Sequence, residues 1–147
     1  MKFNKLIPEL SVSNISKSRK FYEDLGFVVK YERVQDKFCF IEYQGNQLMI
    51  EEINDNWDTG AELKYPFGRG INIGMEDSDI EEVYNNAKKA NYEIFIDIMI
   101  NKYKADDVEY LDREFLIQDP DGYLLRFNDS KCVSVDGGLD EIFESNI

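Results

Sequence analysis

The chain contains no histidine. That absence removes serine–histidine and cysteine–histidine nucleophile pairs, imidazole general bases and every histidine-ligated metal site. Cysteine is nearly missing as well. Cys39 and Cys132 stand far apart with no CxxC spacing, and Cys39 falls in an apolar, strand-like run. A buried thiol and no disulfide framework are expected. No apolar stretch approaches the roughly 20 residues of a membrane span, and the first residues lack the apolar run and small-residue cleavage site of a signal peptide. A cytoplasmic protein is the expectation. Positive charge is scarce: 17 Lys and Arg stand against 30 Asp and Glu, a net charge of −13. Nucleic acid and anionic membranes are poor partners for such a surface. Acidity of this kind serves solubility, and it is also the field that draws a cationic ligand into a cleft.

What is present is enough apolar material for a core: 147 residues, of which 43% are hydrophobic. Residues 5–12 read as a strand, with Pro8 arguing for an edge. Ser13-Asn14 caps a helix running to Leu25, with Ile15, Ser18, Phe21, Tyr22 and Leu25 as its buried stripe and Gly26 as a left-handed stop. Strands follow at 27–33, 38–43 and 47–53, separated by turns at Gln35-Asp36 and Gln44-Gly45-Asn46. Residues 54–68 form a loop carrying Trp57, Tyr65 and Phe67. Residues 70–76 are a strand, and Asp79, in a capping box with Glu82, starts a helix to Ala90. A strand at 93–100 and a polar loop at 101–108 lead to a final strand–turn–strand across 113–127, whose turn is Asp119-Pro-Asp-Gly122. The tail 129–147 reads as a short helix with Leu139, Ile142 and Phe143 on one side.

The order contains a repeat. Residues 14–29 align without gaps on 79–94: cap falls on cap, Gly26 on Asn91, Phe27 on Tyr92. Each half reads βαβββ. Such a unit covers one face of its sheet with its helix and leaves the other face open. The stretches Val12-Ser-Asn-Ile15, Phe21-Tyr22 and Leu25-Gly-Phe27, and the closing Phe115-Leu-Ile-Gln-Asp-Pro-Asp-Gly-Tyr-Leu-Leu-Arg-Phe127, resemble the vicinal oxygen chelate superfamily. That superfamily includes glyoxalase I, extradiol dioxygenases and bleomycin resistance proteins. The resemblance covers about 4–128. It implies an α+β fold of two βαβββ modules, about 4–53 and 70–128, forming a curved mixed sheet around a cleft. The whole chain 1–147 is then one domain with a C-terminal tail, assembled as a homodimer.

Metal-dependent relatives place one ligand on the first and one on the fourth strand of each module. The matching positions here are Ile7, Glu51, Asn72 and Arg126, of which Glu51 alone is a strong ligand. The resemblance therefore points away from a metal and any other cofactor, with no catalytic residue assigned, and toward the bleomycin resistance type. In that reading the cleft sequesters a cationic, drug-like aromatic ligand without chemistry. Strand parity turns Glu9, Glu51 and Glu76 toward the cleft, and an Arg126–Glu51 ion pair is expected there. Phe38, Phe40, Trp57, Tyr65, Phe67, Tyr103 and Tyr110 are candidate ring walls; core packing is the more common role for any one of them, and only for Trp57, in a polar acidic loop, does ligand stacking weigh evenly against it. The alternatives are a glyoxalase- or dioxygenase-like lyase or isomerase with a degenerate metal site or with Glu51 as base, and a small-molecule sensor.

Overall fold

A computed structural model of the chain describes residues 1–56, 61–76 and 78–133. The first module runs β1 (Glu9–Val12), α1 (Ile15–Leu25), β2 (Val28–Arg33), β3 (Phe38–Tyr43) and β4 (Asn46–Glu52). The second runs β5 (Asn72–Met75), α2 (Ile80–Lys89), β6 (Ile96–Ala105), β7 (Val108–Gln118) and β8 (Leu124–Val133). Each module is a four-stranded mixed sheet, in the orders β1-β4-β3-β2 and β5-β8-β7-β6. The first strand of each lies parallel to the last and the other pairs are antiparallel. The expected pair of βαβββ units is therefore the observed architecture.

Local chemistry sets the boundaries. Asn14 is extended and its side chain accepts a hydrogen bond from the Lys17 N–H, which opens α1; Gly26, at φ 119°, closes it. Asp79 caps α2 by accepting from the Glu82 N–H. The return half of the expected capping box is not made. Asp79 N–H instead donates to Gln44 of the β3–β4 turn, and Glu82 accepts from the Tyr43 hydroxyl. The cap thus ties the second module to the first. The first strand begins at Glu9 rather than residue 5, because Pro8 has no N–H to give and joins the ladder only through its carbonyl, which accepts from Met49 N–H. The turn at 35–36 is a 3-10 turn, Val34–Asp36, closed by Lys37 in a left-handed conformation. The polar loop expected at 101–108 is largely strand. β6 and β7 pair continuously to Ala105 and Val108, and Tyr103 stacks on Tyr110 at 5.3 Å.

One face of each sheet carries the helices. Phe21, Tyr22 and Leu25 of α1 and Ile80, Val83 and Ala87 of α2 share a continuous core with Cys39, Ile41, Leu48, Ile50, Phe115, Ile117, Leu125 and Phe127. Rings cross the module boundary: Phe127 lies 6.4 Å from Phe27 and 6.3 Å from Tyr43. Cys39 is a buried free thiol, as expected. Among the described residues no helix is long and apolar enough to cross a membrane.

The Asp-Pro-Asp-Gly turn is the second fastening. Asp121 accepts from the Ser13 N–H and hydroxyl ahead of α1. The Tyr22 hydroxyl donates to Asp119 at 2.8 Å, and the Tyr123 hydroxyl donates to the Ser11 carbonyl at 2.9 Å. Asp119 also accepts from the N–H groups of Asp121 and Tyr123. Burial pushes its carboxyl up to about 6 despite these donors. The hairpin is a clamp between modules.

Candidate functional site

Because Cys39, Ile41, Leu48 and Ile50 face the core, alternation turns Phe38, Phe40, Met49 and Glu51 to the opposite face of the first sheet. Rings floor this face. Phe40 stacks on Tyr31 at 5.1 Å and meets Phe3 edge-on at 5.4 Å. The Arg33 guanidinium lies 3.9 Å over the Phe38 ring. Glu51 sits on the rung between Phe38 of β3 and Ser11 of β1 and is only 7% exposed. No N–H group or ammonium among the described residues bonds its carboxylate. Its neighbour is Glu9, one pleat away on β1. Burial raises the Glu9 carboxyl above the usual carboxylate range, and a hydrogen bond with Glu51 and the charge of Glu51 act in the same direction, against the opposing pull of Arg33.

The open face of the second sheet is organised around Arg126. Its Nε donates to Asn72 Oδ1 at 3.2 Å, and its Nη1 pairs with Glu114 at 3.3 Å. Its Nη2 lies against Gly74, where a Cβ would sit 2.5 Å from it. The expected Arg126–Glu51 ion pair is not formed, and register gives the reason. Glu51 faces Ser11 across the first ladder, whereas Arg126 faces Gly74 across the second. On the offset that sets Asn14 on Asp79, Gly74 corresponds to Glu9, whose partner is Met49. Arg126 thus stands one pleat away from the equivalent of Glu51, beside its own sheet's Glu114.

A cavity of about 460 Å³ opens between the edge strands of the two modules. Leu6, Pro8 and Glu9 line one wall, and Ile71, Asn72 and Gly74 the other. The remaining expected residues lie elsewhere. Phe67 is buried edge-on against Tyr123 at 5.8 Å, with its N–H bonded to the Asp121 carbonyl, so it packs the clamp. Tyr65, 60% exposed, lines a separate cavity of about 430 Å³ beside α1 with Phe21, Tyr92, Phe95 and Pro120. Tyr103 belongs to the exposed stack near the end of the β6–β7 hairpin. Glu76 is exposed just past β5. Trp57 lies outside the described residues. The structure thus groups Glu9, Glu51, Phe38 and Phe40 on one face and Asn72 with Arg126 on the other. Tyr31, Arg33, Gly74 and Glu114 complete these groups. Strand pairing would have found Tyr31 and Glu114, and a lone glycine inside a strand pattern signals the close approach made at Gly74.

The four positions that match the superfamily's metal ligands do not fit a divalent ion. Ile7 offers no donor atom, Arg126 is a cation, and the Asn72 oxygen is already held by Arg126. Among the described residues no three His, Cys, Asp or Glu side chains cluster as a ligand set.

The model of the Glyoxalase/Bleomycin resistance protein/Dioxygenase superfamily matches residues 5–127. Among solved structures, a glyoxalase/bleomycin resistance protein/dioxygenase superfamily member from Vibrio splendidus 12B01 is 33% identical over 82% of this chain and 94% of that one, with a TM-score of 0.38. A glyoxalase/bleomycin resistance protein/dioxygenase from Alicyclobacillus acidocaldarius is 21% identical over 86% and 90%, with a TM-score of 0.59. A virulence protein from Salmonella typhimurium is 18% identical over 88% and 98%, with a TM-score of 0.62. The last two share the fold. No curated protein matches the chain.

Proposed function

Since the chain belongs to the Glyoxalase/Bleomycin resistance protein/Dioxygenase superfamily, we propose that it binds a small cationic aromatic ligand on the open face of its first sheet, in the manner of a bleomycin resistance protein, without metal chemistry or a covalent step. The observation that supports this most is Glu51. A carboxylate only 7% exposed, hydrogen-bonded to the Glu9 carboxyl and paired with no Lys or Arg among the described residues, has little of the counter-charge that buried anions require, with Arg33 acting on the pair through Glu9. A ligand ammonium or amidinium supplies it.

The surroundings suit such a ligand. Phe38 and Phe40 are buried, and Arg33 already covers the Phe38 ring at 3.9 Å, a contact that contributes about 0.5–2 kcal/mol, so a ligand cation would take the place of the Arg33 guanidinium there. The net charge of −13 steers cations toward the protein at long range, so affinity falls as salt rises.

The test is calorimetric titration with bleomycin and with simple aryl amidinium ions, on the wild type and on Glu51→Gln. The wild type is expected to bind, releasing the ligand unmodified. Glu51→Gln keeps the shape and removes the charge, so it should weaken binding at least about tenfold, the equivalent of about 1.4 kcal/mol, while the free protein melts at the same temperature or higher. Binding that ignores Glu51→Gln, or no binding by any of these cations, would overturn the reading.

A further inference from the structure

We infer that the ligand is a zwitterion, held by its cationic end at Glu9 and Glu51 and by an anionic end at Arg126 and Asn72. This rests on the proposed cation site and adds a second pole to it. Each pole reaches one cavity through its lining residues, with Glu51 set behind Glu9 and Arg126 behind Asn72 and Gly74. Glu9 lines the β1 wall, and Asn72 and Gly74 line the β5 wall, of the same space of about 460 Å³.

The second pole is built rather than incidental. Arg126 is fixed at two points, by Asn72 Oδ1 on Nε and by Glu114 on Nη1. Its Nη2 is left over Gly74, and no acceptor among the described residues bonds it. Gly74 is what admits it there, because any Cβ would come within 2.5 Å of that nitrogen. Asn72 has its oxygen turned to Arg126, which leaves its Nδ2 donors for the cavity side. A guanidinium edge and an amide N–H₂ side by side are the donor set that a carboxylate accepts. Across the cavity the sign reverses: Glu9 offers a carboxyl, backed by the desolvated Glu51. Module two thus presents a cation where module one presents an anion, and the offset between repeats sets Gly74 on Glu9. A ligand carrying one charge only would leave one pole facing an unlike group or water. A ligand carrying both, separated by a flat spacer, meets each pole with its complement.

The experiment uses three molecules that share a ring and differ in charge: 4-methylbenzylamine, 4-methylbenzoate and 4-(aminomethyl)benzoate. Each is titrated calorimetrically into wild type, Gly74→Ala and Arg126→Gln, with circular dichroism and melting curves to show that the variants fold. Gly74→Ala keeps every charge and displaces the guanidinium; Arg126→Gln removes the charge, so either variant tests the pole if the other fails to fold. The zwitterion should bind the wild type at least about tenfold tighter than the amine. In either folded variant that advantage should fall to about twofold or less, with the affinity for 4-methylbenzylamine retained. If the amine binds as well as the zwitterion, the second pole is refuted and the cation site stands. If the benzoate binds as well as the zwitterion, the cation site falls and with it the zwitterion, while the second pole stands; if none of the three binds, both poles fall.

Discussion

Asp119→Asn separates the charge of the Asp-Pro-Asp-Gly clamp from its shape. Asp119 is 3% exposed and accepts three hydrogen bonds, from Tyr22, Asp121 and Tyr123. Its carboxyl moves from an ordinary 3.8 to about 6, with burial as the largest cause. At neutral pH the ionised group therefore costs the folded state about 3 kcal/mol. The sign follows from the folded value lying above the unfolded one. The group's contribution is fully present below 3.8 and is lost as pH rises through about 6. Asparagine keeps one oxygen for the two backbone donors but turns an amide N–H₂ toward the Tyr22 hydroxyl, whose proton then lacks an acceptor. That loss costs about 1–3 kcal/mol at every pH. The two effects oppose each other at pH 7, where the variant should fall within about 2 kcal/mol of the wild type. At pH 4 only the lost hydrogen bond remains, and the variant should be the less stable by about 1–3 kcal/mol. Urea unfolding of both proteins at pH 4, 5, 6 and 7 measures the gap. The comparison cancels the repulsion common to a chain of net charge −13. A gap that stays constant across this range would refute the claim that Asp119 is buried as a strained anion.

Phe127→Ala should destabilise the protein by about 3–5 kcal/mol, because Phe127 is fully buried among Phe27, Tyr43 and Phe115 at the seam between modules; chemical denaturation measures this, and a loss below about 1 kcal/mol would deny that the seam is packed core. Protein purified without chelator should carry no stoichiometric zinc, nickel, manganese or iron, because Ile7 and Arg126 cannot ligate; elemental analysis finding one ion per chain would contradict the fit argument.

Much of the fold was legible because local signals agreed with one another. Asn14, Gly26, Asp79 and the Gln44-Gly45 turn are positions where a single residue type satisfies a backbone need. The β6–β7 extension was not legible for a physical reason. Asn101, Lys102 and Lys104 look like loop residues because strand patterns register burial, and this ribbon projects past the helices, with its side chains largely in water. The candidate site was half legible. Parity alone places Glu9 and Glu51 on one face and Asn72 and Arg126 on another. Which carboxylate Arg126 meets depends on a one-pleat difference in register and on Glu114 of the neighbouring strand, and neither leaves a local mark. The aromatic candidates divide for the same reason. Phe38 and Phe40 share a face with Glu51, whereas Phe67 is taken by the clamp through Tyr123.

The residues that reveal the superfamily and those that decide the chemistry are therefore different sets. Asp119, Asp121 and Gly122 do mechanical work. Two carboxylates receive the donors of α1's leading edge and of the turn itself, and Gly122, at φ 91°, would with a Cβ reach within 2.7 Å of Pro66. A protein needing this junction needs those residues whatever its cleft binds. The positions on the sheet faces opposite the helices carry no such burden. Glu51, Asn72 and Arg126 lie there, away from the clamp. Arg126 has a local compensation: Glu114 neutralises it at 3.3 Å, Asn72 orients it, and Gly74 makes room for it. Among the described residues Glu51 has only the Glu9 carboxyl beside it and no cation paired with it. That asymmetry, one charge answered within the protein and one left open, is why the functional reading rests on Glu51 and not on the motif by which the fold is recognised.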